Sequence, residues 1–88
     1  MNGRALLGWN LRRLRAQQGI SQERLAADTG VDRAYVSELE REKAAATVDV
    51  IEKLAIALGV PLAELLASPA PGSEEPRPLT RGRKPKTG

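Results

Sequence analysis

Ser21–Lys43, SQERLAADTGVDRAYVSELEREK, is the stretch whose reading decides the fold. It divides into two short helices with a tight corner at Gly30. Leu25, Val31, Val36 and Leu39 can face one core only if the chain turns between Thr29 and Val31. Gly30 stands where a helix ends in a left-handed residue, a conformation glycine adopts without a Cβ penalty. Ala26 falls on the inner face, where a small side chain permits close approach of the second helix. Ser21 is placed to cap the first helix of the pair and Asp32 the second, each by accepting from free amides. The second helix, from Asp32 or Arg33 to about Arg41, points Val36 and Leu39 inward at about 100° per residue. Arg33, Ala34, Ser37, Glu38 and Arg41 then share the opposite face, with Tyr35 at the margin.

The flanking sequence supplies the body for this pair. Arg4 to Gln18 reads as a helix, with Leu7, Leu11 and Leu14 on one face and Gly19 as its stop. Arg12, Arg13 and Arg15 oppose the negative end of its macrodipole, and Arg15 points nearest the core. Trp9 falls opposite the leucines, to pack under the N-terminus or against a partner chain. Thr47 is a cap for a later helix whose apolar stripe is Val50, Ile51, Leu54, Ala55 and Leu58, with Gly59 as its stop. Val60-Pro61 opens a fifth, short helix bearing Leu62, Leu65 and Leu66, since proline is tolerated where the first amide has no partner. The expected architecture is therefore all-α, five helices over residues 1–67.

Composition narrows the class. The 88 residues, 41% of them hydrophobic, allow one small domain with a modest core. One Trp, one Tyr and no Phe make that core aliphatic, which suits Leu- and Ala-rich helices. Cysteine and histidine are both absent, which removes the thiol nucleophile, the disulfide, the commonest metal ligand and the commonest general base. There is no glycine-rich phosphate loop and no cluster of carboxylates, so enzyme activity, a cofactor and a metal are not expected. No apolar run approaches the roughly 20 residues of a membrane span, and the N-terminus is too short in apolar residues for a signal peptide. A soluble, cytoplasmic protein is the expectation.

Charge is segregated. Through Ala67 nine basic residues balance nine acidic ones, so the net +3 lies in residues 68–88. That stretch, SPAPGSEEPRPLTRGRKPKTG, holds five of the six prolines and one large apolar residue, Leu79. It cannot bury enough surface to offset its ordering entropy, and is expected to be a disordered, proline-rich basic tail.

Taken together, LRRLRAQQGISQERLAADTGVDRAYVSELER and TVDVIEKLAIALGVPLAELL resemble the Cro/phage-repressor class of helix-turn-helix regulators, the Xre family. The resemblance runs from about Leu6 to Leu66. It rests on Gly-Ile-Ser-Gln at 19–22, Leu-Ala at 25 and 26, Gly30, Tyr-Val-Ser at 35–37, Leu-Glu-Arg at 39–41 and Leu-Ala-x-x-Leu-Gly-Val ending at Val60. It implies a lambda-repressor-like, bacterial or phage DNA-binding domain, nucleoid-associated, whose second motif helix enters the major groove. Asp-Arg-Ala-Tyr-Val-Ser is also similar to the recognition helix of restriction–modification controller proteins.

The resemblance implies roles residue by residue. Arg33, Ala34, Ser37 and Glu38 would face base edges. Arg33 offers a fork of donors suited to guanine, and Ala34 a contact for a thymine methyl. Glu38 would either accept from cytosine or turn to Arg41. Gln22 would bond a phosphate; from their own chemistry, Arg13, Arg41, Lys43 and the Tyr35 hydroxyl are further contacts for the DNA backbone, positioning without specifying. Arg15 and Glu40 match a partly buried salt bridge tying the first helix to the third. The family commonly has Gly or Asn after Glu-Arg, where this chain has Glu42, so the third helix is expected to run longer. A neutral body implies weak binding by one copy, hence a homodimer on an inverted repeat, with Leu62, Leu65 and Leu66 dividing between interface and core. Arg81, Gly82, Arg83 and Lys84 resemble an AT-hook for narrow minor grooves, although Lys84 precedes the proline. The overall expectation is a DNA-binding transcriptional regulator, repressing as a dimer. Its alternatives are a restriction–modification controller, or an antitoxin or adaptor whose tail binds a protein partner.

Overall fold

Asn2, Ser21 and Thr47 sit in extended backbone and accept from the amides of Ala5, Arg24 and Val50 at 2.9, 3.0 and 3.1 Å. Each bond satisfies an amide that a helix start leaves unpaired. These caps open α1 (Gly3–Gln18), α2 (Gln22–Thr29) and α4 (Val48–Leu58) in the computed structural model, which describes residues 1–69. α3 (Arg33–Glu40) lies between α2 and α4, and a 3-10 turn at Leu62–Leu66 follows α4. At the corner, Gly30 has φ +79° and returns its N–H to the Ala26 carbonyl at 2.8 Å.

Three expectations need correction. First, there are four α-helices among the described residues, not five. Pro61 opens the last segment, but only five residues follow before Ala67 is extended again. The Glu64 N–H reaches the Pro61 carbonyl at 2.9 Å, the i→i+3 bond of a 3-10 turn. Second, Asp32 holds the cap position of α3 but makes no side-chain cap hydrogen bond. Asp32 is exposed, so α3 is seated from its other side, by Val36 in the core and half-buried Val31 packed against it. Third, α3 does not run on past Glu40. The Lys43 N–H bonds the Glu38 carbonyl at 2.8 Å and the Glu42 N–H bonds that of Leu39 at 3.2 Å, with Glu42 at φ +63°. This is a Schellman stop with glutamate in the place glycine usually takes.

The core is aliphatic. Leu11, Leu25, Val36, Leu54 and Leu65 are each 0% exposed, so every α-helix and the 3-10 turn contributes one fully enclosed side chain. Leu65 is thereby withdrawn from the expected dimer interface: it fills the monomer's own core, while Leu62 is half-buried and Leu66 exposed. Trp9 is buried, but outside the leucine cluster.

Two buried positions on α1 set how the elements meet. A Cβ on Gly8 would lie 2.9 Å from the Leu39 carbonyl oxygen and 3.0 Å from that of Glu40. Only hydrogen at that position lets α1 lie directly on the end of α3. Asn10 is 2% exposed, and its amide nitrogen donates to the carbonyls of Leu6, Leu65 and Ala67 at 2.9–3.0 Å. It fastens the end of the 3-10 turn to α1. Beside it, Arg13 bridges the Asn10 side-chain oxygen and the Glu64 carboxylate, the latter at 2.8 Å. The chain from Ala70 onward lies outside the described residues, and with it the expected tail.

Candidate nucleic-acid interface

α3 is amphipathic about a fixed axis. Val36, Leu39 and Glu40 are buried, whereas Arg33, Ala34 and Glu38 are exposed and Ser37 is half-buried. The inner anchor is Glu40. Its two carboxylate oxygens accept from Arg15 Nε at 2.5 Å and Arg15 Nη2 at 2.8 Å. Arg15 spends its remaining terminal nitrogen on the Ile20 carbonyl at 2.9 Å. The pair fixes the C-terminal end of α3 to the C-terminal half of α1, and the Gly8 contact closes the same junction. The outer face of α3 is therefore presented at one angle.

The candidate side chains separate on this frame. Arg33 is exposed, with its Nε 3.8 Å from Glu23 of α2, a loose contact between two solvated groups. Among the described residues the Glu38 carboxylate pairs with no cation: Arg41 bonds the Ser37 carbonyl instead, at 3.4 Å. Lys43 is exposed just beyond the helix stop.

Three side chains expected at the DNA backbone have partners within the fold. Arg13 is committed to Asn10 and Glu64, on the α1 side facing the 3-10 turn. Tyr35 donates its hydroxyl to the Ala45 carbonyl at 2.9 Å, so it braces the loop after α3. Gln22 donates to Glu40 at 3.0 Å, adding a third bond to the buried carboxylate. A long polar side chain near an unmet buried acceptor is drawn inward, because an unsatisfied buried charge costs more than an exposed one.

Gly8 and Asn10, which hold the elements together, each leave a signal in the sequence that goes beyond the helix-turn-helix pattern. Glycine inside a helix costs about 1 kcal/mol against alanine, which points to a close approach. Asn10 falls within the Leu7–Leu11–Leu14 stripe, so it is a polar side chain aimed at the core. Among the described residues no group of three His, Cys, Asp or Glu could hold a metal ion, and no helix is long and apolar enough to cross a membrane.

Two helices meeting at a glycine corner, the second propped outward with a polar face, form the helix-turn-helix of a DNA-binding regulator class. The chain belongs to the helix-turn-helix family HTH_3, whose sequence profile matches residues 11–65. It is 47% identical over 66 residues to a hypothetical transcription factor of Neisseria meningitidis, covering 75% of this chain and 62% of that protein. The crystal structure of the hypothetical transcription factor NHTF from Neisseria superposes with a TM-score of 0.75 at 46% identity, over 77% of this chain and 78% of that one. The restriction–modification controller protein C.AhdI from Aeromonas hydrophila gives a TM-score of 0.68 at 42% identity, over 70% of this chain and 94% of its own. The control protein C.BamHI of Bacillus amyloliquefaciens is 39% identical over 66 residues, covering 74% of this chain and 82% of its own.

Proposed function

We propose that the protein regulates transcription as a homodimer that reads an inverted-repeat operator, with α3 of each copy in the major groove. The observation that carries this is the outer face of α3, held at one angle by the buried Arg15–Glu40 pair and the Gly8 contact. Arg33 is the leading base reader, with Ala34, Ser37 and Glu38 beside it; Arg41 and Lys43 take phosphates. With charges balanced through Ala67, a single copy gains little from the phosphate backbone, and two half-sites are needed for useful affinity.

The interface between copies uses exposed apolar side chains. Leu66 on the 3-10 turn and Ile56 on α4, 74% exposed, lead it, with half-buried Leu62 at its margin. The segment Arg81–Lys84 adds salt-sensitive affinity with little base preference. Repression is the expected sign. Similarity to C.AhdI and C.BamHI favours a second reading, a controller that activates at one site and represses at another.

Selection of bound duplexes from a random pool tests this directly. A pool converging on two inverted half-sites about one helical turn apart supports the reading. A pool that converges on nothing in low salt removes it. Sedimentation should give twice the monomer mass, falling to the monomer for Ile56→Glu or Leu66→Glu. Removing residues 68–88 should weaken binding and flatten its log–log salt slope.

A further inference from the structure

Glu42 stands at an unfavourable place on three counts. Its φ of +63° makes it the one non-glycine residue with positive φ among the described residues. A side chain disfavours that conformation, which is why glycine usually fills this position of a Schellman stop. Its carboxylate also follows the C-terminal end of α3, where the helix macrodipole is negative and cations are favoured. Finally, it is exposed and pairs with no cation among the described residues, although Arg41 precedes it and Lys43 follows. Glycine would serve the turn better, and nothing in the fold uses the carboxylate.

Its position gives the charge a use. Arg41, Glu42 and Lys43 form the chain's exit from α3, beside the face that meets DNA. A carboxylate there is repelled by phosphates and opposes the two cations on either side. We propose that Glu42 is an affinity-setting residue: it keeps the binding of one copy to duplex DNA weak, so that occupancy depends on two copies at two half-sites. This rests on the reading that α3 docks on DNA.

The test compares the full chain with its Glu42→Gln and Glu42→Gly variants. Each is titrated against a labelled random-sequence duplex and a duplex selected from a random pool, over a series of salt concentrations, and each is melted thermally. Glutamine keeps the side chain and its backbone conformation but removes the charge; glycine removes the strain as well. Glu42→Gln should bind both duplexes roughly three- to ten-fold tighter per copy near 0.1 M salt, with a log–log slope steeper by up to about one. Its melting temperature should stay close to that of the parent, whereas Glu42→Gly should bind as tightly and melt a few degrees higher. If the parent binds duplex and Glu42→Gln binds no tighter, the inference fails and the DNA-docking reading stands. If the parent binds no duplex at any salt, both fall.

Discussion

Arg15 and Glu40 face each other across the α1–α3 junction as a two-pronged ion pair, with side chains only 9% and 4% exposed. Glu40 accepts a third bond from Gln22, and Arg15 gives a third to the Ile20 carbonyl, so every nitrogen and oxygen of the pair has a hydrogen-bond partner. A buried pair of this kind gains little net stability, because desolvating two ions offsets their attraction. What it does is determine where α3 points. Glu40→Ala should destabilise the fold by about 3–5 kcal/mol, since it strands a buried guanidinium. The double change Arg15→Met with Glu40→Leu should recover most of that stability. Urea unfolding of the three proteins decides it. A single change costing no more than an exposed ion pair would show that water reaches Arg15.

The Gly8 contact sets two effects against each other. Alanine is favoured over glycine in a helix by about 1 kcal/mol. At Gly8, however, the added Cβ would sit 2.9 Å from a backbone oxygen, and backbone cannot swing aside as a side chain can. Overpacking of this sort costs about 1–3 kcal/mol. Gly8→Ala should therefore lower the melting temperature and weaken DNA binding by tilting α3. Gly3→Ala, where nothing lies within 4 Å, should leave binding unchanged and the melting temperature equal or slightly raised. Equal melting temperatures for the two variants would refute the close approach.

Signals carried within one turn of chain are legible in sequence, whereas pairings across the fold are not. The corner at Gly30, the caps at Ser21 and Thr47 and the stop at Gly59 are local signals, carried within one turn of chain, and they can be read directly. The last segment is ambiguous because the spacing of Leu62, Leu65 and Leu66 suits an α-helix and a 3-10 turn alike. Only the return to extended backbone at Ala67 separates them. The partner of Arg13 is Glu64, 51 residues away, and no periodicity reports such a pairing. For the same reason Tyr35 and Gln22, polar residues at the edge of the recognition face, look free in the sequence and are engaged in the fold.

Asn10 should behave as the fastening of the 3-10 turn. It is the donor to the Leu65 and Ala67 carbonyls and the acceptor for Arg13. Asn10→Ala leaves buried carbonyls unpaired at about 1–3 kcal/mol, and frees Arg13 from one of its two partners. Amide exchange at residues 62–67 should accelerate more than in α2 or α3, to which Asn10 makes no hydrogen bond among the described residues. Because Leu66 lies on that turn, self-association should weaken in the same variant. Uniformly faster exchange across the domain would instead point to a general loss of stability.

Base reading and backbone contact predict different signatures for two cations on the same face. Arg33 lies at the first turn of α3 with its fork exposed; Lys43 lies beyond the helix end. A guanidinium that bonds guanine in two places supplies about 1–3 kcal/mol of discrimination, whereas an ammonium against phosphate supplies attraction without sequence. Arg33→Ala should thus relax preference at one base pair of each half-site, by roughly 5- to 150-fold in relative affinity, and leave random-sequence binding less affected. Arg33→Lys should not restore it, because a point charge lacks the fork. Lys43→Ala should weaken selected and random duplexes alike and reduce the log–log salt slope by about one per copy. Competition titrations with single-base variants of the selected duplex measure the first effect, and salt series the second. If Arg33→Ala and Lys43→Ala show the same salt dependence and neither alters base preference, α3 is resting on the sugar–phosphate backbone rather than reading the groove.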